Sequence, residues 1–295
     1  MTHLWIEVIQ TLTSIKRPID SRNGPCYEML AYGGMLTNPK NAWLTSSIRK
    51  ASAAYAAAEL LWYLSGESKV DMLEQYAPSY RKFVGGHQIA KGAYGARIAA
   101  ENQIERVVQV LKMNPDSRQA IMTMFWPSDL ARVALNNDFD DVPCTLSLQF
   151  LIRKGHLSLI ANMRSNDAWR GLPYDVWCFT RIQTIIAAML GVPVGLYVHQ
   201  AGSMHIYEND YNKIPEGEID LGCDIERYDN VIDTDTSVDD QINGALVLES
   251  MIGHSPDKVL EALEQSKRTL FDECVALCLH KRTGKAPTWL NPLLK

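Results

Sequence analysis

No two cysteines in this chain stand at C-x-x-C spacing; the six lie scattered at Cys26, Cys144, Cys178, Cys223, Cys274 and Cys278. That excludes a thioredoxin-like motif and a finger-type zinc site, and no metal is expected. Cys274 and Cys278 fall at helical spacing with His280 nearby, and buried core thiols are the reading preferred over a metal ligand pair. Basic runs are missing too. With 29 Lys+Arg against 34 Asp+Glu the net charge is −5, so no nucleic-acid polymer is expected as a partner. The longest apolar stretch, Ile185 to Val198, is broken by Gly191, Pro193 and Gly195 and is too short to span a bilayer. The opening residues, Met1 to Glu7, show no basic region leading into an apolar one, so no signal peptide is expected. These absences point to a soluble protein in a reducing compartment, the cytoplasm, with free thiols and no membrane partner.

What is present supports a sizeable core: 295 residues, 46% of them hydrophobic. With no repeat and no low-complexity linker, the chain reads as one domain of mixed α and β over residues 1–295. Residues 1–45 read as loops and short strands. Ser47 to Leu64 reads as a deeply buried helix stopped by Gly66. Gly85-Gly86 and Gly92-Ala93-Tyr94-Gly95 mark loops. Glu101 to Lys112 predicts an amphipathic helix ended by Asn114-Pro115, and Arg118 to Trp126 a strand. Thr145 to Arg153 and His156 to Met163 predict a hairpin turning at Lys154-Gly155. Pro173 to Leu190 suits a buried helix, Val194 to Val198 a strand, and His205 to Tyr207 the end of another. Residues 208–245 are acidic and less regular, and one helix is expected from Ser255-Pro256 to about Leu279.

Three groups of residues have chemistry beyond packing. Cys144 follows a proline at the start of a predicted strand, and a catalytic thiol needs a positive neighbour. The hairpin brings positions 144 and 164 together, which makes Arg164 that neighbour. Arg22, Arg118, Arg164 and Ser165 have the guanidinium forks and hydroxyl that suit a phosphate, although each taken alone reads first as a surface ion-pair partner. Glu59 lies between Ala56-Ala57-Ala58 and Leu60-Leu61-Trp62, where a carboxylate is rarely buried without a partner.

The ordered series resembles the thymidylate synthase family. It runs Arg22, then Glu59-Leu60-Leu61-Trp62-Tyr63-Leu64-Ser65-Gly66, Gly92-Ala93-Tyr94-Gly95, Asp116-Ser117-Arg118, Pro143-Cys144 and Gln149-Phe150. It continues with Arg164-Ser165-Asn166-Asp167, Gly171-Leu172-Pro173-Tyr174-Asp175 and His205-Ile206-Tyr207. The resemblance covers residues 20 to 210 or so and implies an α+β fold: a twisted mixed sheet flanked by helices, packed back to back in a homodimer. It implies one-carbon transfer from 5,10-methylenetetrahydrofolate to C5 of a pyrimidine nucleotide. By resemblance Cys144 adds to C6 of the base. Arg22, Arg164 and Ser165 hold the phosphate, Arg118 reaches it from the partner subunit, and Gln149 lies on the substrate side. His205 and Tyr207 bind the sugar hydroxyl. Asp167 and Glu59 serve the folate and the proton transfers, Gly171 and Tyr80 lie on the folate side, and Tyr94 assists removal of the C5 proton.

Departures from the family narrow the reaction. Thymidylate synthases carry Asn where this chain has Asp175. An amide accepts from uracil N3–H and donates to O4; a carboxylate accepts from the cytosine N4 amino group and shares a proton with N3. Asp175 therefore predicts cytosine; the structural alternative is an acid favoured by a helix N-terminus. Tyr80 takes the place of an indole that guards the intermediate, which opens an exocyclic methylene to water. Thr145, Gln119 and Ser203 also depart from the family, and the region after about 215 does not match its closing tail. Together these features look most like the deoxycytidylate hydroxymethylase branch. CMP hydroxymethylation, dCMP C5-methylation and a non-catalytic nucleotide- or RNA-binding role are the alternatives.

Overall fold

The computed structural model describes residues 1–136, 141–215 and 231–290. They gather into two compact units: one of residues 1–51, 107–122 and 144–215, the other of 52–106, 123–136 with 141–143, and 231–290. Cys223 and part of the acidic stretch lie outside the described residues.

The first unit is organised by a six-stranded mixed sheet in the order β1-β2-β6-β5-β4-β3. The strands are β1 (Ile19–Ser21), β2 (Gly24–Leu36), β3 (Ile121–Thr123), β4 (Thr145–Arg153), β5 (His156–Asp167) and β6 (Val194–Tyr207). The expected hairpin forms as β4 and β5, with Arg153 facing His156 across Lys154-Gly155. β5 and β6 are parallel, so the chain must cross over between them. The crossover carries helix α7 (Leu172–Leu190), which packs on both strands. Its interior residues Val176, Phe179, Ile182 and Ile186 are fully buried on Leu157, Leu159 and Ala161 of β5. The fold is α+β, a mixed sheet with flanking helices, as the sequence implied.

Two expectations in this unit need correction. Residues 1–45 are not only loops and short strands: α1 (Thr2–Thr13) buries Trp5, Ile9 and Leu12, and β2 is 13 residues long. Met1 at the N-cap gives no side-chain cap, so the helix lacks a start signal in the sequence. Val194 to Val198 and His205 to Tyr207 are one strand of 14 residues, not two. The ladder to β2 skips at Ala31, which takes φ 56°, and pairing resumes on both sides of Gly202.

The second unit is helical. α2 (Ala53–Ser65) is its centre, packed by α11 (Leu270–Thr283), α9 (Val238–Met251) and α4 (Tyr94–Ala99). Ser52 caps α2 by accepting from the Tyr55 N–H at 3.2 Å, and Gly66 ends it at φ 72°. α2 therefore starts at Ala53, six residues after the expected Ser47. The Gly92–Gly95 segment is only in part a loop, because α4 begins at Tyr94. Gly95 is required there: a Cβ would stand 2.6 Å from the Trp62 carbonyl of α2. The expected helix from Ser255 to Leu279 is two, α10 (Pro256–Glu264) and α11, broken at Arg268 with φ 60°. Thr269 and Asp272 form a capping box that restarts the chain as α11. α3 (Asp71–Glu74), α5 (Gln103–Met113), α6 (Pro127–Asn136) and α8 (Glu208–Tyr211) complete the helices among the described residues.

One buried ion pair anchors α4 to α6. Arg97 makes two 2.7 Å bonds to Asp129 and a third to the Met124 carbonyl, and its guanidinium lies 4.6 Å from the Trp126 ring centroid. Both side chains are 5% exposed. Arg97→Met leaves the buried Asp129 carboxylate only the Trp126 N–H at 2.8 Å and Arg132 at 3.9 Å, so unfolding titrations should show a loss of about 3 kcal/mol. A loss below about 1 kcal/mol would show that the pair is dispensable.

Candidate active site

The first unit assembles the thiol. Cys144 stands half-buried at the entry to β4, and its carbonyl accepts the Arg164 N–H at 2.8 Å across the hairpin. The Arg164 guanidinium turns back on the sulfur, with Nη2 3.7 Å from Sγ. A cation so placed favours thiolate over thiol. The predicted pairing of Cys144 and Arg164 is thus present, and it follows from hairpin register.

Asp175 lies in the first turn of α7 and is 9% exposed. Its Oδ2 accepts from Asn166 Nδ2 at 2.7 Å. Asn166 Oδ1 is 2.9 Å from His199 Nε2, and His199 Nδ1 is 2.7 Å from the Tyr197 hydroxyl. His199 and Tyr197 are fully buried and Asn166 is 3% exposed. Burial lowers the His199 pKa to about 3 and raises that of Tyr197. The imidazole is therefore neutral, with one N–H to give. An ionised carboxylate only accepts, so Asn166 turns its amide NH2 to Asp175 and its oxygen to His199. His199 then donates from Nε2 and accepts the Tyr197 hydroxyl at Nδ1.

A second polar row crosses three strands. Glu28 faces His205 on the β2–β6 ladder, and Asp167 faces His205 on the β6–β5 ladder. Burial pushes the His205 pKa down, opposed by Asp167; burial pushes the Asp167 pKa up, opposed by the Arg170 N–H it accepts. Asp167 Oδ1 also accepts the Trp169 N–H, which fixes the carboxylate at the strand end. The Ser203 hydroxyl donates to Glu28. Tyr207 lies edge-on to His205, with ring centroids 5.1 Å apart, and receives the Asn23 amide at 3.3 Å. Ser165 pairs with Ser203 in the same ladder.

Other expected residues are less converged. Arg22 is exposed in the turn between β1 and β2, and Arg118 is exposed before β3. Gln149 donates to the Arg118 carbonyl at 2.9 Å. Gly171 has a packing reason: a Cβ there would stand 3.1 Å from both Asn166 Nδ2 and Asp175 Oδ2. In the second unit Glu59 is 7% exposed on α2 and accepts the Tyr55 hydroxyl at 2.8 Å. Tyr94 packs on Tyr63 at 5.4 Å, and Tyr80 meets Trp62 edge-on at 5.9 Å. Cys274 and Cys278 are fully buried in α11, as core thiols. No helix among the described residues is long and apolar enough to cross a membrane.

Sequence reasoning missed Asn166, His199, Tyr197 and Glu28. Strand alternation placed a signal at His199, two residues from Tyr197 and two from Ala201 on the buried face of β6.

A strand-entry thiol under a guanidinium has the parts that nucleophilic catalysis needs. A thymidylate synthase family profile matches residues 35–218, and the chain belongs to that family. A deoxyuridylate hydroxymethyltransferase of Bacillus phage SP01 is 29% identical over 230 residues, which are 73% of this chain and 59% of that protein. The chain thus matches 59% of the length of that relative. The crystal structure of thymidylate synthase from T4 phage superposes with a TM-score of 0.57 at 23% identity, covering 70% of this chain and 76% of that one.

A neutral buried His199 has a signature in stability. Its pKa of about 3 in the folded chain lies below the unfolded value of about 6.5. Between those values the unfolded chain binds one more proton. The stability is fully present above about pH 6.5 and is lost as pH falls, by about 1.4 kcal/mol per unit. His199→Gln should flatten the measured slope by about that amount between about pH 4 and 6; an unchanged slope would contradict the neutral imidazole.

Proposed function

We propose that this chain hydroxymethylates C5 of a pyrimidine nucleoside monophosphate, with dCMP as the substrate. The donor is 5,10-methylenetetrahydrofolate, and water completes the reaction to 5-hydroxymethyl-dCMP and tetrahydrofolate. The observation that carries the base choice is Asp175, a carboxylate held 2.7 Å from an amide donor in the first turn of α7. Cytosine offers N4–H to that carboxylate, and the proton shared with N3 makes the ring a better acceptor for the thiolate. Uracil offers O4 instead, which sets acceptor against acceptor.

Cys144 attacks C6, which makes C5 nucleophilic towards the one-carbon unit. Glu59 moves protons at the ring or through water, and Tyr94 assists loss of the C5 proton. Loss of that proton is accompanied by cleavage of the bond to tetrahydrofolate, which departs and leaves an exocyclic methylene; water adds to it, and Cys144 leaves as the 5,6 double bond re-forms. Arg22, Arg164 and Ser165 hold the phosphate, and His205 and Tyr207 hold the sugar. Asp167 is the carboxylate best suited to a folate ring N–H, because the Trp169 and Arg170 N–H groups fix it at the strand end. Tyr80 and Gly171 serve the folate in this reading.

A homodimer is part of this reading. Across the sheet, Met35, Val198, Ile160 and Gln149 form one row on the face turned away from α7. Met35 is 54% exposed and Leu196, two residues from Val198, is 41% exposed. The apolar members of that row are suited to a partner, and Arg118, whose carbonyl Gln149 meets, would cross to the other subunit's phosphate.

The name of the SP01 relative favours a second reading, in which dUMP is hydroxymethylated. Incubation with dCMP, CMP or dUMP, and product identification by mass, separates them. The expected product is 5-hydroxymethyl-dCMP, abolished in Cys144→Ala, with Asp175→Asn shifting preference towards dUMP by about tenfold or more. Faster turnover of dUMP by the wild-type protein would overturn the cytosine reading. A methyl product with dihydrofolate formation would overturn hydroxymethylation.

A further inference from the structure

We infer that Tyr197, His199 and Asn166 are positioning residues that fix the acceptor face of Asp175 and thereby set base choice. The inference rests on the cytosine reading of Asp175 and adds three residues that need touch no substrate atom. Its basis is a continuous chain of hydrogen bonds, 2.7, 2.9 and 2.7 Å long, from the Tyr197 hydroxyl to the Asp175 carboxylate.

The chain has a direction. Asn166 carries a donor and an acceptor on one rigid amide, and His199 carries a donor and an acceptor on one ring. Reversing the bond to Asp175 requires Asn166 to turn its oxygen towards that carboxyl. The carboxyl must then be protonated, His199 must change tautomer, and the Tyr197 hydroxyl must find another acceptor. Each change happens at a site with no exposure or nearly none. In the direction the charge permits, Asp175 is held as an acceptor. Uracil favours a protonated carboxyl that donates to O4 and accepts from N3–H, and a donor held at Oδ2 stabilises the ionised form against that protonation.

The strand register makes the chain rigid. Tyr197 and His199 are on the buried face of β6, and β5 lies parallel beside it with Ala161 opposite His199. Gly171 closes against both Asn166 and Asp175, leaving a side chain no room between them. The amide and the carboxylate therefore have one arrangement.

The test measures kcat/KM for dCMP and dUMP on the same preparations of wild type, Asn166→Leu, His199→Phe, Tyr197→Phe and His199→Gln. The dCMP-to-dUMP ratio does not depend on how much of the sample is folded. It is expected to fall about tenfold in Asn166→Leu and His199→Phe and less in Tyr197→Phe. His199→Gln, which keeps a donor for Asn166, should recover most of the wild-type ratio. A ratio unchanged in both His199→Phe and Asn166→Leu overturns the positioning role, whichever base the wild type prefers. A wild-type preference for dUMP overturns the cytosine reading itself, and the variants then judge the positioning role separately.

Discussion

The hydrogen bond from Asn166 to Asp175 joins the end of β5 to the first turn of α7, and the proposed reading of the base depends on it. A carboxylate that is 9% exposed needs a partner, because its desolvation is otherwise unfavourable. Asn166 satisfies it without adding a charge. The amide oxygen must be satisfied in turn, and the imidazole of His199 and the hydroxyl of Tyr197 complete the sequence inside the sheet–helix layer. A buried polar network is stabilising only when every member is paired, which makes these positions interdependent.

The thiol is organised differently. Cys144 and Arg164 meet at the half-exposed end of the β4–β5 hairpin, held by the 2.8 Å bond from the Arg164 N–H to the Cys144 carbonyl. One guanidinium there is near enough to act on the sulfur and exposed enough to meet a phosphate. On the proposed reading, base choice rests on the buried network and bond formation on the exposed pair. Both are anchored to β5, Arg164 and Asn166 being two residues apart.

Much of this was legible in the sequence where the cause was local. The hairpin followed from alternation and Lys154-Gly155, and it places Arg164 by Cys144. α7 followed from Pro173 and an unbroken apolar run, and Asp175 was conspicuous at its start. Glu59 was readable as a buried carboxylate from its neighbours, although its Tyr55 partner one turn away was not foreseen. The polar network was not legible, because it depends on the parallel pairing of β5 with β6, which brings residues 33 apart into contact. α1 was missed for want of a capping side chain. The α10–α11 break was missed because Arg268, not glycine, takes the positive φ.

The central claim is that Cys144 bonds to C6 of a cytosine ring whose N4 and N3 are read by Asp175. Trapping tests it most directly. A 5-fluoro nucleotide cannot lose its C5 substituent as a proton, so the adduct stalls with the thioether in place. Intact-protein mass, followed by peptide mapping after incubation with 5-fluoro-dCMP or 5-fluoro-dUMP and methylenetetrahydrofolate, reports both the base and the residue. The account predicts an adduct that forms faster with the cytosine analogue and maps to Cys144. An adduct confined to the uracil analogue, or one carried by any other residue, would contradict it.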